Sequence, residues 1–306
     1  MVTRRLLVTG DDGFVGRNIF AMEQEIRRGF GWQLLRPSAP YDLRDPPSLE
    51  RLIAETRPDG VLHLAGISFV PDSYKDPEGT FQINFMGTLH LLQALKKSGF
   101  EGNFLYVSSG DIYGKLRHEQ LPVDEKHLPY PVNPYAVSKL AAEALCQQWA
   151  LTEHFKPLVA RPFNHIGPGQ REEFVLATMA RQVVRIRRGL QPPLIEVGDI
   201  DVVRDFLDVR DVIVAYLRLL DHGQRGEIYN VCSGKGQRIR DLISALKRLA
   251  GVEAELQLDA ERFRPSDQRV IIGSNHKLVE ATDWQPEHEL DDTLSAVIED
   301  WERREK

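Results

Sequence analysis

The sequence predicts an α/β fold in which a doubly wound parallel sheet carries helices on both faces. First, short runs rich in Val and Leu alternate with helical stretches of ten residues or more. Second, the short runs at residues 6–8 and 61–64 are almost entirely apolar, which is typical of strands buried on both faces. A chain of 306 residues is long enough for one large domain or two small ones.

The alternation of strands and helices is regular as far as residue 161. The predicted strands are residues 5–9, 33–36, 61–64, 104–108 and 157–160. The predicted helices are residues 14–28, 47–55, 80–97 and 134–153. Beyond residue 161, Pro and Gly cluster, and strand-like pieces return at 206–207 and 228–231. We therefore predict a first lobe of residues 1–165 plus 205–233, and a smaller interleaved α/β lobe of residues 166–204 plus 234–306.

Composition and net charge exclude several classes of protein. The chain has 39 Lys and Arg against 45 Asp and Glu, a net charge of −6 that argues against nucleic acid or an anionic membrane as partner. Its two cysteines, Cys146 and Cys232, fit neither a disulfide framework nor a zinc spacing, and we expect no metal. The apolar runs fall short of the ~20 residues of a membrane helix. We therefore expect a soluble cytoplasmic protein with no cleaved signal.

A glycine loop joins the first strand to the first helix. Gly10, Gly13 and Gly16 allow a tight turn, and the helix start at Phe14 and Val15 can then receive a pyrophosphate. Three spaced glycines can also form a purely structural turn. The position directly after a strand and before an amphipathic helix favours a dinucleotide site, which makes the first lobe a Rossmann-type dinucleotide-binding domain.

Arg36 lies twenty residues after Gly16, at the end of the second predicted strand. An NAD site usually has an acidic residue there, against the ribose hydroxyls, whereas arginine suits the 2′-phosphate of NADP. An arginine stacked over the adenine, or one without a role, is the alternative. We therefore expect NADPH or NADH as cofactor.

Tyr135 and Lys139 are four residues apart on a predicted helix, so both side chains lie on one face. A lysine cation beside a phenol, together with an oxidised nicotinamide, favours the phenolate. The pair can therefore act as one acid and base unit. The spacing alone is common, but here the pair follows the fourth predicted strand.

That fourth strand ends at Ser108 and Ser109 and continues into Gly110 and Asp111. Ligands of open α/β folds bind at the carboxyl edge of the sheet, where a serine can donate a hydrogen bond to a substrate carbonyl. A serine can equally cap a turn. We expect the capping role for Ser108 and the substrate role for Ser109.

Several motifs occur together in a fixed order. They are the glycine loop, residues 63–66 (HLAG), Ser108 with Ser109, the Tyr135 and Lys139 pair, residues 161–164 (RPFN), residues 198–206 and residues 264–267 (RPSD). In this order they resemble the extended short-chain dehydrogenases/reductases that act on nucleotide sugars, and the resemblance covers essentially the whole chain. Residues 109–111 and 161–170 most resemble reductases of GDP-linked 4-keto-6-deoxymannose.

The resemblance implies reduction of carbon 4 of a nucleotide-linked 4-keto-6-deoxy sugar, with GDP-D-rhamnose as the expected product. Tyr135 would donate the proton, Ser109 would hydrogen-bond the sugar oxygen, and Lys139 would hold the nicotinamide ribose. Further cofactor contacts are expected from Asp42, Leu43, Leu64, Ala65 and Gly66, and further sugar contacts from Ser108, Asp111 and Asn164. A homodimer is also implied. The alternatives are a sugar 4-epimerase, a 4,6-dehydratase or a non-catalytic NAD(P)-sensing scaffold.

The second lobe offers arginines for the two phosphates of a nucleotide sugar, because a guanidinium fork binds phosphate oxygens in pairs. Arg204 and Arg264 are predicted for this role, and the resemblance assigns Asp267 to the ribose hydroxyls. Arg185 is a further substrate candidate. Its helix also carries other arginines, and an ordinary charged face is the alternative reading.

Overall fold

The computed structural model describes residues 3–259 and 268–306 and contains a parallel sheet of six strands. The strands of the described residues are β1 Arg4–Thr9, β2 Trp32–Leu35, β3 Gly60–His63, β4 Asn103–Val107, β5 Lys156–Pro162, β6 Asn164–Ile166, β7 Leu194–Val197, β8 Val203–Asp208, β9 Ile228–Val231, β10 Gly236–Arg238, β11 Glu255–Leu258 and β12 Val270–Ile271. The main sheet has the order β2-β1-β3-β4-β5-β9. Strand β2 lies on one side of β1, and β3 and the strands after it lie on the other side. The strand order therefore switches between β1 and β3, and a ligand crevice is expected at their carboxyl ends.

Helices cover both faces of this sheet and also build the second lobe. They are α1 Phe14–Ala21, α2 Glu23–Phe30, α3 Pro46–Thr56, α4 Val70–Lys75, α5 Pro77–Phe81, α6 Gly87–Lys97, α7 Pro134–Thr152, α8 Val175–Arg187, α9 Val209–His222, α10 Ile239–Ala250, α11 His276–Thr282 and α12 Leu290–Arg304. A π-helical turn, Gln82–Met86, joins α5 to α6, and a 3₁₀ turn, Gly110–Tyr113, follows β4.

Alternate residues of β1 enter two different cores. Leu6 and Val8 pack with α1, α2 and α9, whereas Leu7 packs on the opposite face with α3, α6 and α7. All three side chains are fully buried. This two-sided burial is the physical reason for the apolar runs, and it confirms the predicted doubly wound α/β fold.

Two predicted helices are interrupted. The helix expected over residues 14–28 ends at Ala21 and restarts at Glu23, because the Met22 N–H bonds the carbonyls of both Asn18 and Ile19 and tightens the turn. The helix expected over residues 80–97 contains the π-helical turn, in which Asn84 is buried. The strand bounds differ from the predicted ones by at most two residues, except that β8 begins at Val203, three residues before the predicted piece at 206–207.

The second lobe has its own core, formed by α8, α10, α12 and β7. Around it lie the sheet β10-β8-β12, with β6 paired to β8, and the two-stranded sheet β11-β7. The predicted division at residue 234 assigns helix α11 to the second lobe, but this helix packs on the first lobe. Leu278 of α11 and Trp284 pack in the core of the first lobe, against α9 and the main sheet.

None of the helices in residues 3–259 and 268–306 combines the length and apolar character that a membrane crossing requires. In the same ranges, the structure contains no group of three or more acidic, histidine or cysteine side chains arranged to hold a metal ion.

Candidate active site

The glycines of the loop pack so closely against neighbouring backbone that a side chain at Gly10 or Gly16 would clash. Gly10 has φ of +76°, and a Cβ on it would lie 2.7 Å from the Ala65 nitrogen. A Cβ on Gly16 would lie 2.3 Å from the Gly10 carbonyl oxygen. Gly13 precedes α1 as its N-cap, and no side chain caps that helix. The open N–H groups and the glycine cradle fit the pyrophosphate of a dinucleotide.

We expect Gly16→Ala to weaken NADPH binding by at least about 10-fold, since the new methyl group must displace the loop backbone that approaches the pyrophosphate. The matched control is Gly29→Ala in α2, where a Cβ meets nothing within 4 Å. The control is expected to leave affinity unchanged. Quenching of protein fluorescence on NADPH titration measures both, and equal affinities would contradict the close approach.

Arg36 follows β2 and borders the glycine loop. Its guanidinium stacks 3.7 Å from the ring centroid of Phe20 and lies 3.7 Å from the Asp11 carboxylate. The side chain is 59% exposed, so its other face is open to solvent. The aromatic partner is therefore Phe20 of α1, and the fork remains accessible to an anion beside the loop.

Of the other predicted cofactor residues, Asp42 is half-buried and Leu43 is buried. Asp42 forms an ion pair of 2.7 Å with Arg44, which lowers the pKa of its carboxyl to about 2. Neighbouring Tyr41 was not predicted from the sequence, yet its hydroxyl accepts a 2.9 Å hydrogen bond from the Gly10 N–H. Burial raises the pKa of Tyr41 to about 12, so this group stays a neutral phenol.

Leu64, Ala65 and Gly66 continue from β3 alongside the loop. The Leu64 N–H donates to the Thr9 carbonyl at 3.2 Å, and Gly66 is exposed. A Cβ on Gly66 would lie 3.6 Å from Nζ of Lys139, so this edge of the cofactor cleft reaches the predicted catalytic pair. Asn84, also not predicted, fixes the same edge through bonds to both backbone groups of Ile67 and to the Ser138 hydroxyl.

Tyr135 and Lys139 lie in the first turns of α7, which Asn133 caps through the Ala136 N–H at 2.7 Å. Burial lowers the pKa of Lys139 to about 8, and Nζ donates to the Val107 carbonyl at 2.8 Å. Burial and the charge of Asp111 raise the pKa of Tyr135, while a hydrogen bond with Ser109 lowers it. Burial dominates this balance, and the Lys139 ammonium is directed to a backbone carbonyl, so the protein alone does not make the phenol more acidic. The predicted effect includes an oxidised nicotinamide and stays a prediction.

The cap that the sequence predicts at Ser108 is formed by Ser109. Ser109, not Ser108, is the N-cap of the 3₁₀ turn, and its Oγ accepts the Asp111 N–H at 3.1 Å, because the chain turns directly after it. Ser109 also lies close enough to Tyr135 to lower the pKa of its phenol. The Ser108 hydroxyl is buried and has no hydrogen-bond partner among the described residues. The expected cap at Ser108 is therefore wrong, and Ser109 combines the cap with a place beside the phenol.

Asp111 and Arg204 are electrostatically coupled across the two lobes. The surrounding protein raises the pKa of the Asp111 carboxyl by desolvation, and the positive charge of Arg204 opposes this shift. In β8, Arg204 donates to the carbonyls of Val203 and Gln268 at 2.8 and 3.0 Å. The exposed Asn164 lies on the adjoining strand β6 and donates to the Asp205 carbonyl at 3.2 Å. The structure thus brings Ser109, Tyr135, Asp111 and Arg204 into one neighbourhood.

Arg185, another predicted substrate residue, is not part of that neighbourhood. The guanidinium of Arg185 binds Glu305 at 2.8 Å and the Leu190 carbonyl, so its contacts join α8 to the end of the chain. They give no support to a substrate role and agree with the charged helix face. Arg264 and Asp267 lie outside the described residues.

The structure combines a parallel sheet that has a glycine cradle at its switch point with a site of Ser109, Tyr135 and Lys139. This combination defines an extended short-chain dehydrogenase/reductase. The family model for GDP-mannose 4,6 dehydratase matches residues 38–297, and the chain belongs to that family.

Relatives and solved structures agree with this assignment. The chain is 53% identical to the GDP-6-deoxy-D-mannose reductase of Pseudomonas aeruginosa over 99% of both chains. It is 29% identical to the GDP-6-deoxy-D-talose 4-dehydrogenase of Aggregatibacter actinomycetemcomitans over 90% of both. The solved structure of RMD from Pseudomonas aeruginosa complexed with NADPH superimposes with a TM-score of 0.95, at 53% identity, covering 99% of this chain and 100% of that one.

Proposed function

We propose that this protein reduces carbon 4 of GDP-4-dehydro-6-deoxy-D-mannose with NADPH to give GDP-D-rhamnose. The observation that carries the proposal is the buried Ser109, Tyr135 and Lys139 cluster at the edge of the glycine cradle. The full-length identity of 53% to a GDP-6-deoxy-D-mannose reductase, and a similar fold solved with NADPH, support the substrate and the cofactor.

NADPH, when bound in the cradle, supplies the hydride for carbon 4. Tyr135 holds its proton at neutral pH, because burial and Asp111 raise the pKa of its phenol. It donates that proton to the carbonyl oxygen, so the C=O group becomes CH–OH without a covalent intermediate. Ser109 orients the phenol and the sugar oxygen, and Lys139 holds the cofactor ribose.

Substrate recognition is assigned to the groups that face each other across the lobes. Arg204 is proposed to bind the diphosphate, since its side chain is braced by two backbone carbonyls and its positive charge acts on the site around Asp111. Asp111, Asn164 and Ser108 are proposed to contact the sugar. Arg264 and Asp267 remain proposals for the second phosphate contact and the ribose.

The test is NADPH oxidation with a panel of enzymatically made 4-keto-6-deoxy sugars linked to GDP, dTDP or UDP, with identification of the product sugar. The proposal expects turnover with the GDP sugar and rhamnose as product. Talose as product would change the stereochemistry assigned at carbon 4. Turnover that needs no added NADPH, with cofactor retained through purification, would instead indicate an epimerase.

Arg36 is proposed to bind the 2′-phosphate of NADPH. We expect Arg36→Ala to raise the KM for NADPH about 10- to 100-fold, the value of a charge-assisted bond, and to leave the KM for NADH unchanged. Arg28→Ala, on the neighbouring helix α2, is the control for general loss of positive charge. An unchanged preference between the two cofactors would show that Arg36 does not recognise the phosphate.

We propose that the protein is a cytoplasmic homodimer that pairs through α6 and α7. The proposal is supported by apolar side chains that α7 exposes, Val137 at 40% and Leu151 at 86%. Light scattering of the purified protein tests it, and a monomeric mass at micromolar concentration would contradict it.

A further inference from the structure

A buried ion pair lies one turn beyond the catalytic lysine. Glu143 follows Lys139 by four residues on α7, and its two oxygens receive three bonds from Arg161 of β5 at 3.0, 3.2 and 2.7 Å. The side chains are 1% and 3% exposed. Removing two charges from water is costly, so such a pair is weak evidence for stability alone and invites a functional explanation.

The same arginine reaches the turn that carries the catalytic serine. Arg161 Nη1 donates to the Tyr113 hydroxyl at 2.9 Å, and that hydroxyl donates to Asn230 Oδ1 at 2.7 Å. Tyr113 is the last residue of the 3₁₀ turn that Ser109 caps. One guanidinium therefore connects the helix bearing Tyr135 and Lys139 to the turn bearing Ser109.

We propose that Glu143 and Arg161 form a positioning unit for the catalytic groups. The unit holds the serine turn against α7 and presents to Lys139 a carboxylate whose charge the guanidinium balances. This inference rests on the proposed function, because it assigns the pair to a reaction that uses Tyr135 and Lys139. Neither residue is proposed to contact substrate or cofactor.

The other groups that face Lys139 carry no charge near neutral pH. Burial lowers the pKa of His63 on β3 to about 3, and burial raises the pKa values of Tyr106 on β4 and of Cys146 on α7. Tyr135 is itself a neutral phenol, and Asp111 acts on Tyr135 rather than on Lys139. Among the described residues, the carboxyl group that bears on Lys139 is that of Glu143, which is paired with Arg161 and raises the pKa of the lysine.

The test compares pH profiles of kcat/KM for two single variants. Glu143→Gln leaves Arg161 as an unbalanced positive charge, which promotes loss of a proton from the Tyr135 and Lys139 unit. The alkaline limb should then move down by about one pH unit. Arg161→Gln leaves the carboxylate unbalanced and should move the limb up by a similar amount. The double variant Glu143→Gln/Arg161→Gln should return it to the wild-type position.

Control variants separate this role from general destabilisation. Glu153→Gln breaks the 2.9 Å surface pair with Lys96 at the other end of α7 and should leave the profile unchanged. Tyr113→Phe removes the link to the serine turn but no charge, so it should lower kcat about 10-fold without moving the limb. If Arg161→Gln does not fold, Glu143→Gln against the double variant still gives the test.

Shifts of the same sign in both single variants, or no shift in Glu143→Gln with lowered thermal stability, would overturn the proposal and leave the pair purely structural. Wild-type turnover of the GDP sugar is read separately. If the wild-type protein does not reduce the GDP sugar, the proposed function fails. The pH dependence of NADPH affinity in the same variants still reports the charge at Lys139.

Discussion

Replacing Tyr135 with phenylalanine is expected to lower kcat by about 10²- to 10⁴-fold, the usual contribution of a positioned general acid. Tyr135 is only 7% exposed, so removal of the hydroxyl leaves the packing of its ring unchanged. Affinity for NADPH should therefore stay within about 2-fold of the wild type. Stopped-flow kinetics with the GDP-linked keto sugar measures the first quantity, and fluorescence titration measures the second.

The chain offers a matched control for this substitution. Tyr106 is also a buried tyrosine, and its hydroxyl has no hydrogen-bond partner among the described residues. Tyr106→Phe should therefore leave both kcat and stability close to the wild-type values. Lys139→Met, in contrast, should lose turnover and NADPH affinity together, since Nζ lies beside the cofactor edge at Gly66. Turnover near the wild-type rate in Tyr135→Phe at neutral pH would remove this tyrosine from the mechanism.

The fold could be predicted because the apolar runs of its buried strands are visible in short stretches of the sequence. A strand buried on both faces must be apolar throughout, and Leu6, Leu7 and Val8 show this directly by entering two cores. The break at Met22 and the packing of α11 on the first lobe were not predictable. The break at Met22 is a local tightening of the turn that the hydrophobic period does not show. The packing of α11 depends on contacts between distant parts of the chain, such as Trp284 with Asp211, whose separation along the sequence carries no pattern.

The site could be predicted where spacing fixes geometry. Tyr135 and Lys139 are one helical turn apart, and the glycine loop is contiguous, so the sequence itself places these groups. The pairing of Glu143 with Arg161 was missed because strand β5 brings the two residues together across 18 residues of sequence. Arg161 opens the RPFN motif, but the motif does not show which residue the arginine binds. The position of the cap at Ser109 rather than at Ser108 depended on the residue at which the chain turns, a detail finer than strand prediction resolves.

The second large effect concerns a reaction that the protein is expected not to perform. The matching family model is that of a GDP-mannose 4,6 dehydratase, yet dehydration across carbons 5 and 6 needs a base and an acid. In the dehydratases that this chain resembles, these groups follow the catalytic hydroxyl residue, where Gly110 and Asp111 stand here. A Cβ on Gly110 would lie 3.1 Å from the ring of Phe163, so an acid at that position would require this ring to shift.

Asp111 is one methylene shorter than the glutamate that a dehydratase carries there, which places its carboxyl about 1 Å out of reach, a displacement that costs ~100-fold. Its charge is also coupled to Arg204. Purified protein incubated with GDP-mannose and NADP⁺ should therefore form no deoxy sugar, at a limit at least about 100-fold below the rate of keto-sugar reduction. The same preparation should reduce GDP-4-keto-6-deoxymannose, which serves as the positive control. Efficient conversion of GDP-mannose would make the protein a dehydratase, because it would require a base that the serine turn does not supply.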